Sequence, residues 1–130
     1  MLDADVLIRG EQGTFDLPAW FASQTNEPFE VAAITVAELW HGVERATGSH
    51  RMTRRQYLQT ILAPLPIIPY TEQTAYRHAK IWARLAADGK MIGYYDLIVA
   101  ATALERGSAV ATFNQRHFTP IPGLRVIEPK

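Results

Sequence analysis

The chain has 130 residues, thirteen Lys plus Arg against thirteen Asp plus Glu, no cysteine, and 48% apolar residues, which suits one folded domain over residues 1–130 and excludes a disordered chain. Zero net charge gives no global pull toward nucleic acid, so any basic surface must be local. The lack of cysteine excludes disulfides and thiolate metal sites and points to a reducing cytoplasm, and no apolar run nears the ~18–20 residues of a membrane span.

The opening MLDADVLIRG carries two acids and no basic stretch, so no signal peptide is expected. Met1–Ile8 is expected as a short strand running into a turn, and a start upstream of Met1 is left open. Asp16 is placed to cap a helix through about Gln24, with Pro18 in its first turn. Val31–Ile34 reads as a strand, and Thr35 as the cap of a helix running to about Ala46. A polar, basic stretch follows, then a helix over Thr53–Leu62. Leu65–Ile68, fenced by three prolines, fits only a short edge strand. Thr71 opens a long helix to about Asp88, with Ala75, Ala79, Trp82 and Ala86 near one face and Gly89 as its stop. Asp96 begins a helix through Glu105, ended by Gly107. Ser108–Thr112 is a strand, Asn114–Phe118 a tight turn, and Leu124–Ile127 the last strand. This alternation predicts an α/β fold with a parallel sheet.

Four polar residues at the ends of apolar segments carry the functional signal: Asp3, Glu38, Asp96 and Asn114. In open α/β sheets, sites form beyond the carboxyl ends of the strands. Asp3, Glu38 and Asn114 follow expected strands, and the helix carrying Asp96 opens on the same side. Carboxylates gathered there repel one another unless cations lie between them, which suggests a divalent-metal site acting on a phosphate. Each residue also has a structural explanation. Thr35-Val-Ala-Glu38 reads as a capping box. Asp96 suits the positive end of a helix, and Asn114 suits a turn. Asp3 is assigned to the site, while Asp5 is expected to support the turn through hydrogen bonds. His117 fits a packing or surface role, since no zinc spacing surrounds it. Tyr94 and Tyr95 suit base stacking or core packing equally. Arg51, Arg54 and Arg55 read as a solvated helix start unless they flank the acids. No Walker A, GxGxxG or GxSxG motif is present.

Together these stretches resemble the PIN-domain ribonucleases, and most closely the VapC-type toxins of type II toxin–antitoxin modules. LDADVLI resembles that family's LDTNVLI. ITVAELWHGV resembles its second acidic motif, IGYYDLIVAATALERG its third, and ATFNQRHFTPIPGLRVI its closing one. The resemblance covers nearly the whole chain. It implies a three-layer α/β/α sandwich with a central parallel sheet of four or five strands. It implies an endoribonuclease that cleaves RNA with a metal-activated water, inhibited by a small antitoxin and assembled as a homodimer. Asp3, Glu38 and Asp96 fall on the family's metal-site acids. Asn114 falls where many relatives carry a fourth acid and others an Asn. Asp5 departs from the pattern, standing where the family usually has Asn. Hard oxygen ligands suit Mg²⁺ or Mn²⁺. Asp3 and Asp96 are expected to touch the metal most directly, with Glu38 on a metal-held water or a second metal. Thr112 and Asn114 are expected to orient the phosphate or the water. Leu39, Trp40, Val43, Tyr76 and Trp82 are the candidates for core or for a partner surface.

Two other functions compete. A phosphoacceptor receiver domain would need a Lys after a late strand, and none precedes the terminal Lys130. A catalytically silent PIN-like module, acting only through its antitoxin, is compatible with Asn114.

Overall fold

The structure, a computed structural model, describes residues 1–24 and 26–130. It is a mixed α/β fold with six α-helices among those residues. In chain order they are α1 (Ala4–Gln12), α2 (Leu17–Ser23), α3 (Ala33–Arg45), α4 (Gly48–Leu62), α5 (Glu72–Ala87) and α6 (Tyr94–Arg106). The strands are two residues each: β1 (Val31–Ala32), β2 (Ile67–Ile68), β3 (Val110–Ala111) and β4 (Val126–Ile127). No helix is long and apolar enough to cross a membrane, among the described residues.

In place of the single expected sheet of four or five strands, the described residues form two parallel pairs, β1–β2 and β3–β4. Met1–Asp3 lies between them. Leu2 makes a parallel bridge to Ala111, and its N–H donates to the Glu30 carbonyl at 2.9 Å. The opening is therefore not a strand to Ile8. Asp3 accepts the Ala4 N–H at 2.9 Å and so starts α1 after a single bridging residue. Ala4, Val6 and Leu7 then turn inward from that helix.

Helices cover both faces of this short-stranded centre. Met1, Ala32 and Val110 pack with Ile81, Leu85, Leu97 and Phe118, on the α5–α6 side. Their chain neighbours Leu2, Val31 and Ala111 pack with Val6, Trp20, Leu39, Val43 and Leu58, on the α1–α4 side. Adjacent residues facing opposite cores is the two-residue alternation of extended chain buried on both sides. Gly10 permits the close crossing of α4 over α1, because a Cβ there would stand 2.7 Å from the Tyr57 hydroxyl. That hydroxyl donates to the Leu7 carbonyl at 2.9 Å. Arg54 of α4 ties that helix to α1 through Glu11 at 2.9 Å and to α3 through the Gly42 carbonyl at 3.2 Å.

Several boundaries hold. Asp16 caps α2 by accepting the Ala19 N–H at 3.1 Å, Thr71 caps α5, and Gly107 ends α6 at φ 67°. Others shift. The strand expected over Val31–Ile34 ends at Ala32, and α3 begins at Ala33. Thr35 therefore lies inside the first turn and caps nothing; its hydroxyl is buried with no hydrogen-bond partner. The proposed capping box does not form. The inward face of α5 is Thr74, Ile81 and Leu85, so the Ala79–Trp82–Ala86 side faces solvent. Alanine is too small to mark a helix face when larger apolar residues stand one position away.

Candidate active site

Four acids reach the carboxyl-terminal side of the strands from three helices. Asp3 and Asp5 belong to the start of α1, Glu38 to the second turn of α3, and Asp96 to the first turn of α6. Asp3 is fixed most firmly. One of its oxygens accepts the Ala4 N–H and the other accepts the buried Thr112 hydroxyl at 2.8 Å. Thr112 directly follows β3, so this bond ties the two central segments together. Its hydroxyl is committed to an acid rather than free for a phosphate, which corrects the role expected for it. Asp96 pairs with His117, Oδ2 to Nδ1 at 3.1 Å. His117 is thus a half-exposed surface histidine, as expected, that also neighbours the site. Gly93, which precedes α6, adjoins the Asp96 carboxylate: a Cβ there would stand 3.5 Å from its Oδ2, in ordinary contact.

Asp5 does support a turn, as expected, but not its own. It reaches across to the segment after β3, accepting the Phe113 N–H at 2.9 Å and the Asn114 amide at 3.2 Å. The Asn114 N–H in turn donates to the Thr112 hydroxyl at 3.0 Å. Asn114 therefore joins the group as a hydrogen-bond partner of an acid.

The electrostatics bind these residues into one unit. Burial, and then the charges of Asp3 and Asp96, push Glu38 up to about 7. Burial and then Asp3 push Asp5 up to about 6. Asp3 is raised by burial and by Asp96, although the Thr112 bond opposes the rise. Asp96 is raised by burial, with His117 opposing and Asp5 adding to it. Burial is the largest cause for all four, and each is raised further by at least one other acid of the group, as expected for like charges sharing a desolvated place. No Lys or Arg pairs with Asp3, Glu38 or Asp96 among the described residues.

These groups fit a hard, hydrated cation better than a tightly caged one. Among the described residues no three His, Asp or Glu side chains are arranged to hold a metal ion directly. Glu38 lines a cavity of about 290 Å³ with Ile34, His41 and Tyr95, whereas Asp96 lines a groove of about 580 Å³ with Lys90, Arg116 and His117. Magnesium keeps several waters and takes one or two carboxylates directly, so it does not require three side chains in direct contact. All-oxygen donors with excess negative charge are the matching ligand set.

The surroundings are mixed. Tyr94 and Tyr95 are 71% and 55% exposed, so they are not core residues. Of the basic stretch, Arg51 pairs with Glu44 and Arg54 with Glu11. Arg54 also borders a hollow that contains Glu38. Sequence reasoning missed the Asp96–His117 pair and the Asp5–Asn114 bond. The LDAD spacing was the available signal for Asp5; nothing local signalled His117.

Comparison with known proteins places the fold. The profile of the PIN domain matches residues 1–123. The chain is 33% identical to the tRNA(fMet)-specific endonuclease VapC of Salmonella typhimurium over 96 residues, 74% of this chain and 71% of that one. It is similar to the structure of DNA-bound VapBC from Salmonella typhimurium, with 29% identity, a TM-score of 0.89, and 98% and 96% of the two chains covered. VapBC2 from Rickettsia felis bound to promoter DNA has the same fold, at 22% identity, a TM-score of 0.90, and 100% and 98% coverage.

Proposed function

The chain belongs to the PIN domain family and, within it, to the VapC ribonucleases; on that premise we propose that it hydrolyses internal phosphodiester bonds of RNA as the toxin of a toxin–antitoxin module. The observation that carries this reading is the mutual repulsion of Asp3, Glu38 and Asp96, brought from three distant segments without a Lys or Arg to relieve it. Such an arrangement is unfavourable by itself and is relieved by a bound cation, Mg²⁺ or Mn²⁺.

Asp3 and Asp96 would hold the cation, and Glu38 would hold a water beside it. When bound, the cation lowers the pKa of water and stabilises charge on the phosphate. Thr112 keeps the Asp3 carboxylate in one orientation through its 2.8 Å bond. His117 does the same for Asp96, holding Oδ2. Lys90 and Arg116 share the Asp96 groove and would grip the RNA backbone, while the exposed rings of Tyr94 and of Tyr95, which lines the Glu38 cavity, would stack bases. No side-chain nucleophile is required.

The whole chain, residues 1–130, would act as one cytoplasmic PIN-like domain with a partner. Leu39 and Val43 are core, whereas Tyr76 and Trp82 of α5 are 59% and 47% exposed. That outward side is the surface we assign to a cognate antitoxin or to the second subunit of a homodimer.

The test is cleavage of RNA by the antitoxin-free protein. Cleavage in Mg²⁺ or Mn²⁺ that stops in excess chelator supports the proposal. Full cleavage in chelator, or none under any condition, ends it; the latter outcome leaves a silent binding module.

A further inference from the structure

The reaction as derived leaves one pocket carboxylate, Asp5, without a chemical role. Its Oδ2 receives the Phe113 N–H at 2.9 Å and the Asn114 amide at 3.2 Å. Its Oδ1 has only a 3.4 Å contact with the Thr112 hydroxyl, whose short bond goes to Asp3 instead. As a latch for the loop after β3, Asp5 needs one acceptor oxygen. Asparagine would supply that oxygen without a charge. The charge has a cost, since Asp5 is partly buried, is repelled by Asp3, and in turn repels Asp96. Arg9 offsets it least among the influences on it, and its guanidinium lies over the Phe113 ring at 4.2 Å. A negative charge that the latch does not require, placed among like charges, is retained at no benefit unless a cation answers it.

We propose that Asp5 supplies the fourth carboxylate of the cation site, with Asn114 as its positioning partner. The inference rests on the metal-nuclease reading and extends it. Asn114 and Phe113 fix Oδ2 and leave Oδ1 for the cation or one of its waters. The two side chains form a complementary pair, one acid and one amide across a 3.2 Å hydrogen bond. Exchanging them moves the charge across that bond while keeping both the bond and the total charge.

The test is calorimetric titration of the purified full chain with Mn²⁺ alone, alongside RNA cleavage and thermal unfolding in chelator. Asp5→Asn should weaken Mn²⁺ binding roughly 10–100-fold, the range for disturbing a metal's supporting shell, and should unfold at no lower temperature than the unaltered chain. Asn114→Ala should weaken binding less. The exchange D5N/N114D should recover most of the lost affinity and cleavage. Wild-type affinity in Asp5→Asn overturns the inference, as does an exchanged variant that folds but recovers nothing. If Asp5→Asn does not fold, the exchanged variant, which keeps an acid and an amide in place, decides the question. Asp3→Asn and Asp96→Asn separate the two levels. If they lose Mn²⁺ binding and Asp5→Asn does not, only the role of Asp5 falls. If they too bind as before, or the unaltered chain binds none, the nuclease reading falls with it.

Discussion

Asp3 and Glu30 are equally buried carboxylates, 6% and 8% exposed, in opposite electrostatic conditions. Glu30 directly precedes β1, on the amino-terminal side of the strands. Arg106 donates twice to it, at 3.1 and 3.0 Å, and Ser108 donates to its other oxygen. Burial pushes Glu30 up, but the Ser108 and Arg106 bonds outweigh it and hold its carboxyl below the usual range. Asp3, on the carboxyl-terminal side, has donors too, but its charged neighbours include Asp96, and it is raised. A buried charge with its own counter-ion closes a structural junction. One surrounded by like charges is unfinished and has affinity left for a cation. Burial alone therefore does not separate a structural acid from a functional one; the sign of its neighbours does.

The largest expected break of that contrast is in chemistry. Asp96→Asn should lower RNA cleavage roughly a thousandfold or more, since several kcal/mol of charge stabilisation are removed. Its unfolding midpoint in chelator should not fall, because a like charge has gone. Glu30→Ala should do the reverse. It should lower stability by about 1–3 kcal/mol in urea unfolding, by stranding the Ser108 hydroxyl and the buried junction, and leave cleavage per folded molecule unchanged.

The pH dependence sharpens the comparison, because the two regions act with opposite sign. Glu38 and Asp5 titrate higher in the fold, at about 7 and about 6, than their ordinary values of 4.5 and 3.8. The fold binds their protons more tightly than the unfolded chain does. Their contribution is full below about pH 4 and is lost as the pH rises toward 7. Glu30 is lowered, so its contribution is present above its ordinary value of 4.5 and is lost as the pH falls through its folded value. Urea unfolding in chelator should show stability declining from about pH 5 to 7, and Glu38→Gln should flatten that decline. Saturating Mn²⁺ should remove it. A flat profile in the unaltered chain would break the contrast.

The smallest effect concerns Thr35. Its hydroxyl is buried without a partner, so Thr35→Val should stabilise the chain by up to about 1 kcal/mol, because a desolvated polar group is replaced by an apolar one of the same shape. Urea unfolding measures it; a loss of stability would mean that the hydroxyl is satisfied by water.

Much of this was legible in the chain. The caps at Asp16, Thr71 and Gly107 are local events, each decided by a side chain or a left-handed glycine within a few residues, so they could be placed. Helix α1 was not legible, because LDADVLI suits a strand as well as a capped helix. Only the Asp3 side chain bonding its neighbour's N–H chose between them. The Thr35–Glu38 capping box failed for the converse reason: its spacing was right, but α3 starts three residues earlier than a Thr35 cap requires. The inward face of α5 is not legible in the chain, because its alanines recur as regularly as Ile81 and Leu85.

The sequence by itself determined which residues could matter: three separated acids, an asparagine near the end, and no cysteine or basic surplus to suggest other chemistry. Helix caps and apolar spacing are written within a few positions, so those features survive without coordinates. Only the tertiary structure decided what each acid faces. It gave Glu30 an arginine 76 residues away, Asp96 a histidine, and Asp5 the amide of Asn114. Electrostatic character depends on distance in space, and the chain order does not record that.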